Sequence, residues 1–421
     1  MVEMKRKVAI FLCMIMTLGL LSGCGKQETI QTNSGENQSP AEEESDVKEE
    51  NEVQAENVIN EESEEKNVEE KEIAMEEITA ADVVSKMKIG WNLGNTLDSH
   101  NANYSIDMST EAFETAWGNP VTTKELIDAV VAKGFNVIRI PVTWDGHLIE
   151  EENWKIKEDW LDRVQEVVDY AYDNGVYVIL NTHHESWYEP YYENEERAKE
   201  IMIAVWSQIA DRFQDYDEHL IFEGMNEPRK IGAAVEWTGG DQEGWDVVNS
   251  LNETFVKTIR ESDGNNPYRI LLVTGYAANG WEGIRHLKVP EDNKVAVSVH
   301  AYEPYEFALN LQGRGNWNHD TANIDMIMNS LDTLFLSKGI PVVMGEFGAL
   351  TKKAEGNEQD RAEFAEYYVN AAAKKGIPCL WWDNGAFYGS GELFGLIDRK
   401  TYEWKYPSIV DGMMKGIAEA E

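Results

Sequence analysis

Cysteine is nearly absent from this chain of 421 residues, with three in all. Cys13 lies in the amino-terminal apolar stretch, Cys24 just beyond it and Cys379 alone in a strand-like run, so no intramolecular disulfide is expected. Positive charge is scarce as well: 37 Lys and Arg stand against 77 Asp and Glu, a formal net charge of −40. That imbalance argues against nucleic acid, whose phosphates would be repelled, and against electrostatic adhesion to anionic lipid. A Gly-rich phosphate turn is missing too, since "NLGNTLD" after the first strand candidate lacks the later glycines of the dinucleotide fingerprint. Histidine does not occur at the His-x-x-x-His helical spacing of a zinc site, and "HHE" at 183–185 is no substitute. No metal and no organic cofactor is expected.

The amino terminus carries Lys5, Arg6 and Lys7 before an apolar stretch from Val8 to Leu21, which reads as an export signal over residues 1–23. It is too short to span comfortably as a permanent helix. Leu21-Ser22-Gly23-Cys24 resembles a bacterial lipoprotein box, in which Cys24 would become the lipidated first residue. The expected location is therefore extracellular, as a cell-surface lipoprotein touching the membrane only through that anchor, with plain secretion as the alternative. Residues 24–78 follow as an acidic spacer. From Lys26 to Ile78 there are 19 acidic and 4 basic residues and hardly an aromatic, too little apolar surface to offset chain entropy.

Residues 79–421 change character. Eight apolar runs read as strands: Lys88 to Leu93, Phe135 to Val142, Tyr177 to His183, Leu220 to Glu227, Arg269 to Gly275, Val295 to Tyr302, Pro341 to Phe347 and Pro378 to Asp383. Amphipathic segments such as "TKELIDAVVAKG" and "WLDRVQEVVDYAYDNG" alternate with them, the weakest lying between the fifth and sixth strands. Alternation of this kind implies parallel strands with right-handed crossovers. Eight units predict an α/β fold, a (β/α)8 TIM barrel, with a doubly wound sheet as the alternative.

The carboxyl ends of these strands carry polar residues that burial alone would not select: Asn92, Asn95, Arg139, His183, His184, Asn226, Glu227, His300, Tyr302 and Glu346, with Trp381 and Trp382. In a barrel these ends share one face, where active sites form. Two carboxylates there, Glu227 and Glu346, suit glycosidic chemistry, one protonating the leaving oxygen while the other attacks or activates water. Glu223 is expected to be an ion-paired barrel carboxylate. Trp117, Trp144, Trp187, Trp237 and Trp317 fall in or beside loops after strands, and two or three are expected to stack on sugar.

Together "MNEP", "VMGEFGA", "NVIRIPVTW", "SVHAY" and "WWDNG" resemble glycoside hydrolase family 5, the cellulase family of the retaining barrel clan, from about Met87 to the last helix. The resemblance implies Glu227 as proton donor (acid/base) and Glu346 as nucleophile. It implies support from Arg139, Asn226, His300 and Tyr302, and sugar contacts from Asn95, His183, His184, Trp382 and Trp381. Arg139 and Tyr302 would favour the ionised form of Glu346, while burial and that neighbouring charge would keep Glu227 protonated. The implied activity is endo-β-1,4-glucanase on a β-glucan, by a monomer. Xyloglucanase, lichenase, xylanase and mannanase remain alternatives, as does a non-catalytic glycan-binding protein, which would not need both acids.

Overall fold

The computed structural model describes residues 74–101 and 103–421, so the export signal, Cys24 and nearly all of the acidic spacer lie outside the described residues. Eight parallel strands close into a barrel: Ile89–Leu93, Val137–Ile140, Tyr177–Asn181, Leu220–Glu223, Leu271–Asn279, Val295–His300, Val342–Phe347 and Cys379–Asp383. Each pairs with its neighbour in sequence, and the eighth closes on the first with Asn92 opposite Trp382.

Side chains alternate across each strand, and that alternation builds the barrel interior in layers. Val137, Ile179, Ile221, Leu272, Ala296, Val343 and Leu380 form a buried apolar layer. Two residues further along, the same faces carry Arg139, Asn181, Glu223, Thr274, Ser298 and Trp382, all buried. The interior thus turns from apolar to polar within one period of each strand.

Outer helices bury one stripe each. Along Glu158–Tyr172 the inward residues are Trp160, Leu161, Val164, Val167, Val168 and Ala171, at helical spacing. Thr123 caps Lys124–Ala132 through Leu126 N–H, and Asp241 caps Gln242–Arg260 through Gly244 N–H. Between the fifth and sixth strands there is a single helical turn, Glu282–Arg285. The amino end of the barrel is closed by the helix Ala80–Lys86, which begins with a Thr79–Asp82 capping box and packs Val83 and Val84 on the inner apolar layer. The folded region starts before residue 79: Ile78 is buried in this cluster, and Lys294 Nζ donates to the carbonyls of Met75, Glu76 and Ile78.

Candidate active site

Arg139, on the second strand, is fully buried and spends its guanidinium on four partners. Nε donates to Glu223 Oε2 at 2.7 Å, Nη1 to Asn92 Oδ1 at 3.0 Å and Glu346 Oε1 at 2.8 Å, and Nη2 to Asn226 Oδ1 at 2.7 Å. A buried arginine is tolerable only with such pairing. Burial opposes its charge, but Glu223 and Glu346 outweigh burial and hold its proton more firmly than usual.

Glu346, on the seventh strand, therefore receives Arg139 on one oxygen and the Tyr302 hydroxyl on the other, at 2.8 Å. Glu227 lies beyond the fourth strand, which ends at Glu223 rather than running on as the sequence suggests. Its Oε1 is 2.9 Å from His300 Nδ1, and Arg229 Nη1 stands 3.8 Å from Oε2. One oxygen of each carboxylate and a ring nitrogen of His300 lie within 4.8 Å of one another. So close an approach suits a retaining pair, whose carboxyl groups stand about 5 Å apart, better than the wider spacing of an inverting one.

The pKa directions of the two acids run against the expectation from the sequence. Burial raises the Glu346 carboxyl, and although His300 and Arg139 draw it back it stays above its ordinary value. Burial also opposes ionisation of Glu227, but the His300 hydrogen bond and charge prevail and lower it. His300 loses proton affinity to burial and regains more from Glu346 and Glu227, ending above its ordinary value. His300 and Glu227 thus each favour the charged form of the other across their 2.9 Å contact. Glu227, His300 and Glu346 could also offer donors to a metal, as could Asp98, His183 and His184. Neither set fits one well: the Arg139 cation already occupies Glu346, and Asp98 accepts the main-chain N–H groups of Asn95 and Thr96 at 3.0 and 2.6 Å.

A line of rings runs past the cleft, which His100, His183 and His184 line. Trp382 stacks parallel to His183 with centroids 5.7 Å apart, His183 meets His184 at 4.4 Å, His184 meets His100 at 4.4 Å, and His100 meets Trp117 at 5.2 Å. Both histidines of the "HH" pair line a cleft of about 490 Å³ that also reaches Glu227, Arg229 and Ile231. Trp382 can lie flat because residue 94 is glycine; a Cβ there would come within 2.7 Å of the indole.

Trp381 does not join it. It is fully buried against Phe347, its Nε1 donates to Phe394 O, and the alternation that turns Trp382 inward turns Trp381 into the barrel wall, so the sugar-contact expectation is corrected. Asn95 is half-buried. It sits at φ 57° in a turn, with its N–H on Asp98 and its carbonyl on Asn119. Trp144, Trp187 and Trp317 are buried, whereas Trp117 is half-buried and Trp237 is 58% exposed with the Arg229 guanidinium 4.4 Å over its ring. Sequence reasoning missed Asn181, Ser298, His100 and Arg229. The first two stand two residues beyond inward apolar positions, a signal that was available.

The sequence model of a family described as Cellulase (glycosyl hydrolase family 5) matches residues 97–388. The chain is 44% identical over 426 residues to Endoglucanase B of Ruminococcus albus, covering all of this chain and 98% of that one. Among solved structures, it resembles a GH5-4 broad specificity endoglucanase from Ruminococcus champanellensis with bound cellotriose, at TM-score 0.78 and 44% identity, covering 82% of this chain and all of that one. It also resembles a lichenase of the same family from Caldicellulosiruptor sp. F32 in complex with cellotetraose, at TM-score 0.77 and 45% identity, over 81% and 96% of the two chains.

Proposed function

The chain belongs to glycosyl hydrolase family 5, and from that premise we propose that it is an endo-acting retaining β-1,4-glucanase with Glu346 as nucleophile and Glu227 as acid/base. The observation that carries this reading is the close approach of the two carboxylates, one clamped by Arg139 and Tyr302 and the other joined to His300. A Glu346 oxygen bonds to the anomeric carbon while Glu227 gives its proton to the departing glycosidic oxygen. Glu227, now a carboxylate, takes a proton from water, whose oxygen attacks the same carbon from the opposite side and expels Glu346. Two inversions give net retention.

Charge assistance is built in advance. Asn226 is held by Arg139 Nη2 and stands beside Glu227, where its amide is free to meet the sugar 2-hydroxyl. Trp382 supplies the platform at the cleavage point, and His183 and His184 the polar edge of the cleft. Lichenan and xyloglucan backbones are included in the proposed substrate range, because one structure of this similarity is a lichenase and another is a xyloglucan-specific endo-β-1,4-glucanase. Proton NMR of a cellopentaose digest tests the reading. A new reducing end born in the β configuration supports it, and α product overturns it.

From the Leu21–Cys24 motif we also propose that the chain is exported, lipidated at Cys24 and held at the cell surface, with residues 24 to about 73 as a spacer.

A further inference from the structure

Glu223 lies beneath the catalytic pair and, on the reading above, has no direct contact with the sugar. Its bonding is nonetheless complete and specific. Oε2 accepts from Arg139 Nε at 2.7 Å and from Asn181 Nδ2 at 2.9 Å, and Oε1 accepts from Ser298 Oγ at 2.5 Å. Four strands, the second, third, fourth and sixth, thus converge on one carboxylate that is wholly buried. If its task were only to neutralise Arg139, Glu346 would already do so from the other side of the same guanidinium, at 2.8 Å.

We propose that Glu223 is a positioning residue for the reaction, dividing the Arg139 charge with Glu346 and fixing the ring state of His183. The first arm follows from charge. A cation shared between two carboxylates stabilises each ionised form less than a cation held by one, so Glu223 keeps Glu346 more basic, and hence more nucleophilic, than Arg139 alone would leave it. The second arm follows from donor counting. Asn181 Oδ1 accepts Val142 N–H, so its amide nitrogen is the end that faces Glu223 and His183 Nδ1, the latter at 3.1 Å. His183 Nδ1 must then accept, which places the proton on Nε2 as a donor.

The proposal rests on the assignment of Glu346 as nucleophile, and its test is the pH dependence of kcat/KM on an aryl β-cellobioside. Groups facing Glu346 are Arg139, Tyr302, His300 and Glu227, with the charge of Glu392 also felt there; His184 and Arg229 face Glu227. Glu223→Gln is isosteric and can keep all three hydrogen bonds, its oxygen toward Arg139 and Asn181 and its amide toward Ser298. With the competing charge gone, the acid limb should move to lower pH by half a unit or more, and kcat should fall about tenfold as the nucleophile weakens. Ser298→Ala keeps the charge but removes a donor, which drives Glu223 harder onto Arg139 and should move the limb to higher pH. This variant gives a reading even if Glu223→Gln does not fold. Asn181→Ala removes a donor to Glu223 and the partner of His183 together, so it should move the limb to higher pH as Ser298→Ala does and raise KM as well. Limbs that stay within 0.1 unit of the parent, or that shift in the same direction in the first two variants, overturn the proposal. A parent enzyme that fails to cleave the aryl glycoside would instead overturn the catalytic reading.

Discussion

His300 Nδ1 stands 2.9 Å from Glu227 Oε1, and the same nitrogen is 3.6 Å from Glu346 Oε2. One imidazole therefore serves both carboxylates, and its protonation is linked to folding. The raised affinity of His300 contributes stability that is complete below its unfolded value, near 6.5, and is lost as pH rises through the folded value. The lowered Glu227 contributes stability that is present above its unfolded value, near 4.5, and is lost as pH falls through the folded value. Thermal melting against pH should show these contributions greatest between those values, with His300→Gln flattening the profile. A profile unchanged by that substitution would contradict the linkage.

The two acids should fail differently when truncated. Glu346→Ala should abolish turnover on every substrate, with azide or formate restoring cleavage of an activated glycosyl fluoride. Glu227→Ala should lose roughly 10²–10⁴-fold on natural glucans but still form the glycosyl-enzyme from an aryl glycoside whose leaving group needs no proton. Azide should then accelerate breakdown to a β-configured azide. Recovering the β-azide from the Glu346 variant would reverse the assignment.

Gly94→Ala should damage binding with little effect on the fold. The added methyl would come within 2.7 and 2.9 Å of the Trp382 ring and 3.0 Å of the Asp383 carbonyl, forcing the platform upward. A shift of about 1 Å in a sugar platform can cost on the order of 10²-fold in kcat/KM. Kinetics alongside the melting temperature would separate this from general destabilisation.

Extended dialysis against a strong chelator should leave activity intact, because Arg139 already supplies the cation beside Glu346. Loss restored by one divalent ion, without a change in melting temperature, would refute this.

Shortening the chain should distinguish residue 73 from residue 78. A chain starting at residue 74 keeps the three carbonyls that engage Lys294 and should be soluble and active. Starting at residue 79 removes them together with buried Ile78, and should cost roughly 1–3 kcal/mol, read as a lower melting temperature. In the full-length chain Cys24→Ala should release the protein from cells; undiminished cell association would count against lipidation.

The barrel was legible because strand and helix patterns alternate eight times, and the pair because two carboxylates at strand ends have no structural purpose. Less legible were the strand ends themselves. The fourth strand stops at Glu223, and Glu227 reaches the site from the following loop, while the fifth runs on to Asn279 through Ala277 and Ala278 at positive φ. The roles of Trp381 and Trp382 turned on strand alternation, which the sequence contains, but which of them faced inward needed the register. The charge order of Glu227 and Glu346 was beyond reach, since it depends on His300, 73 residues from the one and on a neighbouring strand to the other.

The helix Ala80–Lys86 closes the amino end of the barrel, whereas the catalytic pair opens at the carboxyl end. The first described residues, 74–78, meet Lys294 just ahead of the sixth strand, on the face opposite the cleft. Those residues therefore leave the mouth clear, like the stem of a cup, and a long polymer can be threaded across it without meeting them.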